Sequence, residues 1–270
     1  MSELNEISRF EQKFTEEVIE VAAVIGASGV GAGRAGGDLL WHVSIPLIAW
    51  ENLNRHEPVM KEELRLQWLA DDKEFERKRD LLKANSVVRL QVRRGENSMM
   101  LVKVLETSYR DNELEEILQE SLKPVYYHDE VLGQFELIKS VKIFERKISW
   151  TGEEGCLTFD WYEDHDKMKS ALETAYALFK QEDEWSQKMK EYAAEELVEL
   201  ANDWLQDDEE AEFDEITKEI FIESMKLSTI CVYPEGDFEV YYSDGDMFYG
   251  HSIIVCGNIN GEFEAAEIAG

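Results

Sequence analysis

Apolar and polar residues take turns at Leu64, Leu66 and Trp68 around Arg65 and Gln67, the period of a strand with one buried face. Val18–Ile25 is a β-branched run, and Leu39–Trp50 is a second apolar stretch in which Pro46 marks an edge or a bulge. Asp71–Lys83 is charged, with Phe75 and Leu82 about two turns apart. It predicts a surface helix with Asp71 or Asp72 as N-cap. Val87–Arg93 and Met99–Leu105 then pair as a hairpin across Arg94-Gly95-Glu96-Asn97. Three strands, a helix and two strands is the order of a small OB-type barrel, with an SH3-like barrel as the alternative. A polar helical stretch, Asp111–Leu122, follows.

Beyond Pro124 the periods change. Phe135–Ile138, Ile143–Trp150 and Cys156–Tyr162 read as strands, and three helices come next. Met168, Leu172, Ala175 and Phe179 share one face of the first, which Asp164 or Asp166 caps. Trp185, Met189, Ala193, Leu197, Leu200 and Trp204 form a long stripe on the second, and Ile216, Ile220 and Phe221 mark the third. Strands resume at Thr229–Tyr233, Phe238–Tyr242, Phe248–Cys256 and Glu262–Ile268, separated by Gly- and Asp-rich turns. The fold class expected is therefore α+β: a β-barrel-like domain over 1–124, and over 125–270 an antiparallel sheet packed with three helices.

Charge sharpens this division. The 270 residues carry 28 Lys+Arg against 59 Asp+Glu, a formal net charge of −31. Residues 1–124 hold 17 basic and 23 acidic side chains, whereas residues 125–270 hold 11 and 36. A surplus of this size argues against a broad double-stranded nucleic-acid or anionic-membrane surface, because such partners need clustered cations. No apolar run reaches the roughly 18–20 residues of a membrane span, and Met1–Phe10 is too acidic and polar for a signal peptide. Cys156, Cys231 and Cys256 are too few and too scattered for a disulfide framework, so a reducing cytoplasm is expected.

Candidate chemistry is sparse. Gly31-Ala-Gly33-Arg-Ala-Gly36 satisfies G-x-G-x-x-G, but the following segment reads as strand, and a pyrophosphate site needs a helix N-terminus there. A mobile hairpin loop over 26–37 is the expected use of these glycines. In Asp244-Gly245-Asp246-Met-Phe-Tyr249-Gly250-His251, two carboxylates and an imidazole lie within eight residues, beside aromatics able to form a pocket mouth. The bland alternative is a hairpin turn built by Asp244 and Gly245, with His251 satisfying a backbone group. Asn202 and Asp203 are further candidate binding residues, although both suit helix-end roles. The run Gln206–Glu215 holds seven carboxylates and suits either a solvated loop or the steering of a basic partner. Arg89, Arg93 and Arg94 make a local basic strand without an aromatic array for single-stranded nucleic acid. His42, His56, His128 and His165 show no ligand spacing, so neither a metal nor an organic cofactor is expected.

Leu132-Gly133-Gln-Phe135, Phe144-Glu145, Ile148-Ser-Trp150, Leu200-Ala-Asn-Asp-Trp204, Tyr233-Pro-Glu-Gly236, Asp244 through Ile253 and the closing Ala269-Gly270 form a specific pattern. With it, residues 131–270 resemble a bacterial family known only as a domain of unknown function; residues 1–124 carry no such likeness. The resemblance implies a cytoplasmic bacterial protein and transfers no functional residue. Two functions are expected from the residues. One is a non-enzymatic interaction module whose acidic face meets a basic protein partner, as an immunity factor masks a cationic toxin. The other is a metal-assisted or small-molecule-binding enzyme using Asp244, Asp246 and His251. The sequence sets no oligomeric state.

Overall fold

A computed structural model describes residues 2–55, 57–206 and 214–270. The chain folds into two compact units, one of residues 1–124 with 139–141 and the other of residues 125–138 with 142–270.

In the first unit the elements are α1 (Glu3–Glu11), β1 (Val18–Ile25), β2 (Gly31–Gly33), β3 (Trp41–Asn52), β4 (Leu64–Ala70), α2 (Asp72–Arg79), β5 (Ser86–Arg94), β6 (Ser98–Glu106) and α3 (Asn112–Leu122). Five strands close in the order β1-β5-β6-β4-β3 and back to β1. The β4–β6 seam is parallel and the other four are antiparallel. This is a Greek-key barrel of OB type, with its helix α2 after the third barrel strand. Alternation fills it: Val43, Ile45 and Leu47 meet Leu64, Leu66 and Trp68, Val88, Leu90 and Val92 in one core. Pro46 lies beside a bulge, where Val24 pairs with Ala49 but Ile25 pairs with Leu47. The glycine cluster forms β2, which pairs with β3 in a hairpin and is followed by strand, not by a helix. Asp71 caps α2, accepting the Glu74 N–H at 2.7 Å.

Three helices, where one or two were expected, decorate this barrel. Leu114 of α3 packs on Ala22, Val24, Ala49 and Val87. Phe10 of α1, with Phe14, packs on Met100 and Leu69. The first helix escapes the sequence pattern because its buried positions are Glu6 and Phe10, which make no apolar stripe.

The second unit contains β7 (Tyr126–Asp129), β8 (Gly133–Ile138), β9 (Ile143–Trp150), β10 (Glu153–Asp160), α4 (His165–Phe179), α5 (Glu182–Leu205), α6 (Lys218–Ser224), β11 (Lys226–Val232), β12 (Asp237–Ser243), β13 (Ser252–Asn258) and β14 (Phe263–Ala269). They form one eight-stranded sheet in the order β14-β13-β12-β11-β10-β9-β8-β7. Six of its seven seams are antiparallel; the central β10–β11 seam is parallel. The three helices lie in the connection between these two strands, and such a long crossover is what a parallel pair requires. One sheet face packs on them through Phe135, Phe144, Phe159, Phe238 and Tyr242, against Leu172, Trp185 and Met189. The strand expected from Phe248 begins at Ser252, since 244–251 is a structured loop.

Candidate functional site

The loop from Asp244 to His251 is built around one carboxylate. Asp244 is only 2% exposed. Its Oδ2 accepts the N–H groups of Phe248 (2.6 Å) and Gly250 (3.1 Å), and its Oδ1 accepts that of Asp246 (3.2 Å). Three donors therefore converge on a buried anion, which closes the loop and turns the Phe248 ring into the core. Gly245 takes φ +58°, and a Cβ there would stand 2.8 Å from the Ser224 carbonyl oxygen, so no other residue fits without a shift. Asp246 (φ +67°) is exposed and its side chain does not join Asp244.

His251 and Tyr249 turn toward the end of α5. The His251 Nδ1 lies 2.5 Å from the Phe248 carbonyl oxygen, a contact that places the proton on Nδ1. Trp204 meets Phe248, Tyr249 and His251 with ring centroids 5.6, 5.4 and 5.4 Å away. Tyr249 is exposed and its hydroxyl reaches the Trp204 carbonyl at 3.4 Å. Gly270 abuts the imidazole so closely that a Cβ there would overlap it. Leu200–Trp204, Asp244–Ile253 and Ala269–Gly270, three of the segments that carry the family resemblance, thus meet at one corner of the unit. Asn202 donates to the carbonyls of Val198 and Ile216 and accepts the Ile216 N–H, each at 2.9 Å, while Asp203 faces solvent. The arrangement brings Tyr249 and His251 together around Trp204 and spends Asp244 and Asn202 on the backbone.

Several other titratable groups are engaged within the fold. On the sheet face opposite the helices, the hydroxyls of Tyr233 and Tyr241 both donate to Glu239, at 3.1 and 2.9 Å. Burial, then that carboxylate, pushes Tyr241 up to about 12. Burial raises the thiols of Cys156, Cys231 and Cys256 as well, which keeps them protonated and poor nucleophiles at neutral pH. In the barrel, Arg89 pairs with Glu20 and Glu106, Arg93 reaches the Thr15 carbonyl and Glu11, and Arg94 covers the Trp50 ring. These arginines hold the barrel's own surface together.

Open clefts of about 890 and 800 Å³ run beside α3, lined by polar groups such as Ser108, Arg110, Glu116 and Glu120. A smaller cavity of about 220 Å³ lies between α1 and the barrel, bordered by Phe10, Leu40, Trp68 and Met100. Beside α1 the structure also gathers Glu6, Asp38 and His42, with ligand atoms within 4.8 Å of one another. The Asp38-x-x-x-His42 spacing was the only trace of this grouping in the sequence; Glu6 comes from a distant helix.

Along α5, Glu191, Glu195, Glu199 and Asp203 recur every fourth residue, and all four are exposed. Residues 207–213, most of the acidic run Gln206–Glu215, lie outside the described residues, as does His56.

Fold and corner together define an α+β protein with a Greek-key barrel and a helix-backed mixed sheet. The chain belongs to the family described as "Uncharacterized protein conserved in bacteria (DUF2262)", whose model matches residues 129–268. Residues 6–121, which had suggested no relative, match a second family, "Domain of unknown function (DUF7021)". No curated protein and no solved structure matches the chain. Among the described residues no helix is long and apolar enough to cross a membrane.

Proposed function

We propose that this is a cytoplasmic, non-enzymatic interaction protein whose second unit binds a basic protein partner, with masking of a cationic toxin, as by an immunity factor, as one form of that role. The exposed stripe Glu191, Glu195, Glu199 and Asp203 carries the reading. Like charges four residues apart on a helix cost stability. Lys218 pairs with Glu195, and one lysine against four carboxylates leaves the stripe in anionic surplus. A field of one sign accelerates encounter with a cationic surface and weakens as salt rises. Asp244 adds support: its carboxylate is occupied by backbone donors and is not presented to a substrate.

The test compares the intact chain with its triple variant Glu191→Lys, Glu195→Lys, Glu199→Lys as bait in extracts of the source cell. A partner retained by the wild type and lost by the variant is then purified and titrated from about 0.05 to 0.5 M salt. The reading expects affinity to fall steeply with salt. Equal capture by both baits, or affinity indifferent to ionic strength, sinks it.

A further inference from the structure

We propose that Glu6, Asp38 and His42 form a binding site for a first-row divalent cation, Zn²⁺ being the best fit, that fastens α1 to the barrel. Three separate pieces of chain supply the ligands. Glu6 comes from α1, Asp38 from the loop after the glycine hairpin, and His42 from the start of β3. The His42 Nε2 stands 3.6 Å from Glu6 Oε1 and 3.8 Å from Asp38 Oδ2. Those gaps lie in ion-pair range and beyond the roughly 3.2 Å of a well-formed hydrogen bond. They are close to the roughly 3.3–3.6 Å that separates neighbouring ligands around a tetrahedral ion with bonds of about 2.0–2.2 Å.

The carboxylate is held in place for the task. Glu6 is 6% exposed, and its two oxygens accept the Leu39 N–H at 3.0 Å and the Leu40 N–H at 3.2 Å. Such outer contacts orient a metal ligand before the ion arrives. The Phe10 ring meets the His42 imidazole edge-on, with centroids 6.0 Å apart. Two carboxylates beside one imidazole gather negative charge that a dication cancels. One nitrogen and two oxygen donors favour Zn²⁺ over Mg²⁺, which prefers an all-oxygen shell. The His42 side chain is 41% exposed, so the ion has a path in and water completes its coordination.

The experiment uses the full chain, stripped of metal by chelator, with ZnCl₂, MnCl₂ and MgCl₂ titrated separately in a calorimeter. One saturable Zn²⁺ per chain is expected, with weaker Mn²⁺ and no Mg²⁺ binding. His42→Ala and Asp38→Asn, both at exposed or half-exposed positions and checked for native circular dichroism, should each weaken the Zn²⁺ Kd by about tenfold or more. Hydrogen exchange adds a second readout: Zn²⁺ should slow exchange across residues 3–11 in the wild type and leave it unchanged in His42→Ala. Absence of saturable Zn²⁺ binding overturns the site. So does wild-type affinity in both variants, which would place the ion elsewhere, and so does binding that leaves the exchange of α1 untouched.

Discussion

Asn202 grips Ile216 by both of its backbone polar groups: its amide nitrogen donates to the Ile216 carbonyl and its amide oxygen accepts the Ile216 N–H, each at 2.9 Å. The same amide nitrogen donates to Val198 one turn back on α5. One side chain thus ties the end of the long helix to the segment that leads into α6, so that buried Ile216 enters the core at a fixed place. Asn202→Ala should destabilise the second unit by about 1–3 kcal/mol. Asn202→Asp should not restore it, because a carboxylate would face the Ile216 carbonyl without a donor. Urea unfolding followed by tryptophan fluorescence measures both.

Asp244 presents a harder constraint. Removing its carboxylate leaves the N–H groups of Asp246, Phe248 and Gly250 without an acceptor. Asp244→Ala should cost about 2–3 kcal/mol, most of it the penalty for the buried Phe248 N–H left without an acceptor. Near-UV circular dichroism should also change, since Phe248 rests against Trp204. A variant with wild-type stability and spectrum would show that the loop is held by other contacts.

The acidic stripe on α5 predicts opposite effects on stability and on binding. Glu199→Lys replaces two repulsions, with Glu195 and Asp203, by attractions of i,i+4 spacing. The denaturation midpoint should rise by an amount equivalent to about 0.5 kcal/mol, while affinity for a basic partner falls. A surface kept only for solubility would show the first effect without the second.

Acid should loosen the junction of β10 and β11. Glu153 accepts the Leu227 N–H at 2.6 Å and pairs with Lys190 at 2.9 Å, and Lys190 also donates to the Met225 carbonyl at 3.0 Å. Burial opposes the Glu153 charge, but the Leu227 N–H and Lys190 outweigh it and hold the carboxyl below its ordinary 4.5. A depressed carboxyl pKa gives stability that is whole above the unfolded value and is lost as pH falls through the folded one. Wild-type stability should therefore drop between about pH 5 and pH 3 by more than that of Glu153→Gln. Urea midpoints of the two proteins across that range decide it. Asp129 adds to the wild-type slope: Tyr176, the Leu132 and Val131 N–H groups and nearby Arg146 overcome its burial and lower its pKa too.

Where one face of a strand or helix is buried, the sequence was readable. The Leu64-Leu66-Trp68 alternation became β4, and the Trp185-to-Trp204 stripe became the inner face of α5. Asp71 and Asp164 settled two capping choices by accepting N–H groups two or three residues ahead. What stayed hidden depends on contacts distant in sequence. Phe248 looks like the start of a strand because aromatic and β-branched residues are dense from Phe248 to Val255, with only Gly250-His251-Ser252 between them. The N–H bonds of Asp246, Phe248 and Gly250 to Asp244 keep it in a loop. Glu6 gives no sign of an inward role, since its partners Leu39 and Leu40 lie more than thirty residues away. Chemical type alone does not tell a carboxylate that meets a ligand from one, like Asp244, that closes a loop.

The parallel seam between β10 and β11 sets a timetable for the chain. Strands β7 to β10 are adjacent hairpins and can pair as soon as they leave the ribosome. The edge of β10 then waits, unsatisfied, while residues 161–225 are made, because its neighbour is β11. Until that strand arrives, a newly made molecule offers a bare β-edge to any extended segment nearby. Crowded overexpression should expose this interval as aggregation of nascent protein, even though β11 pairs along that edge in the finished sheet.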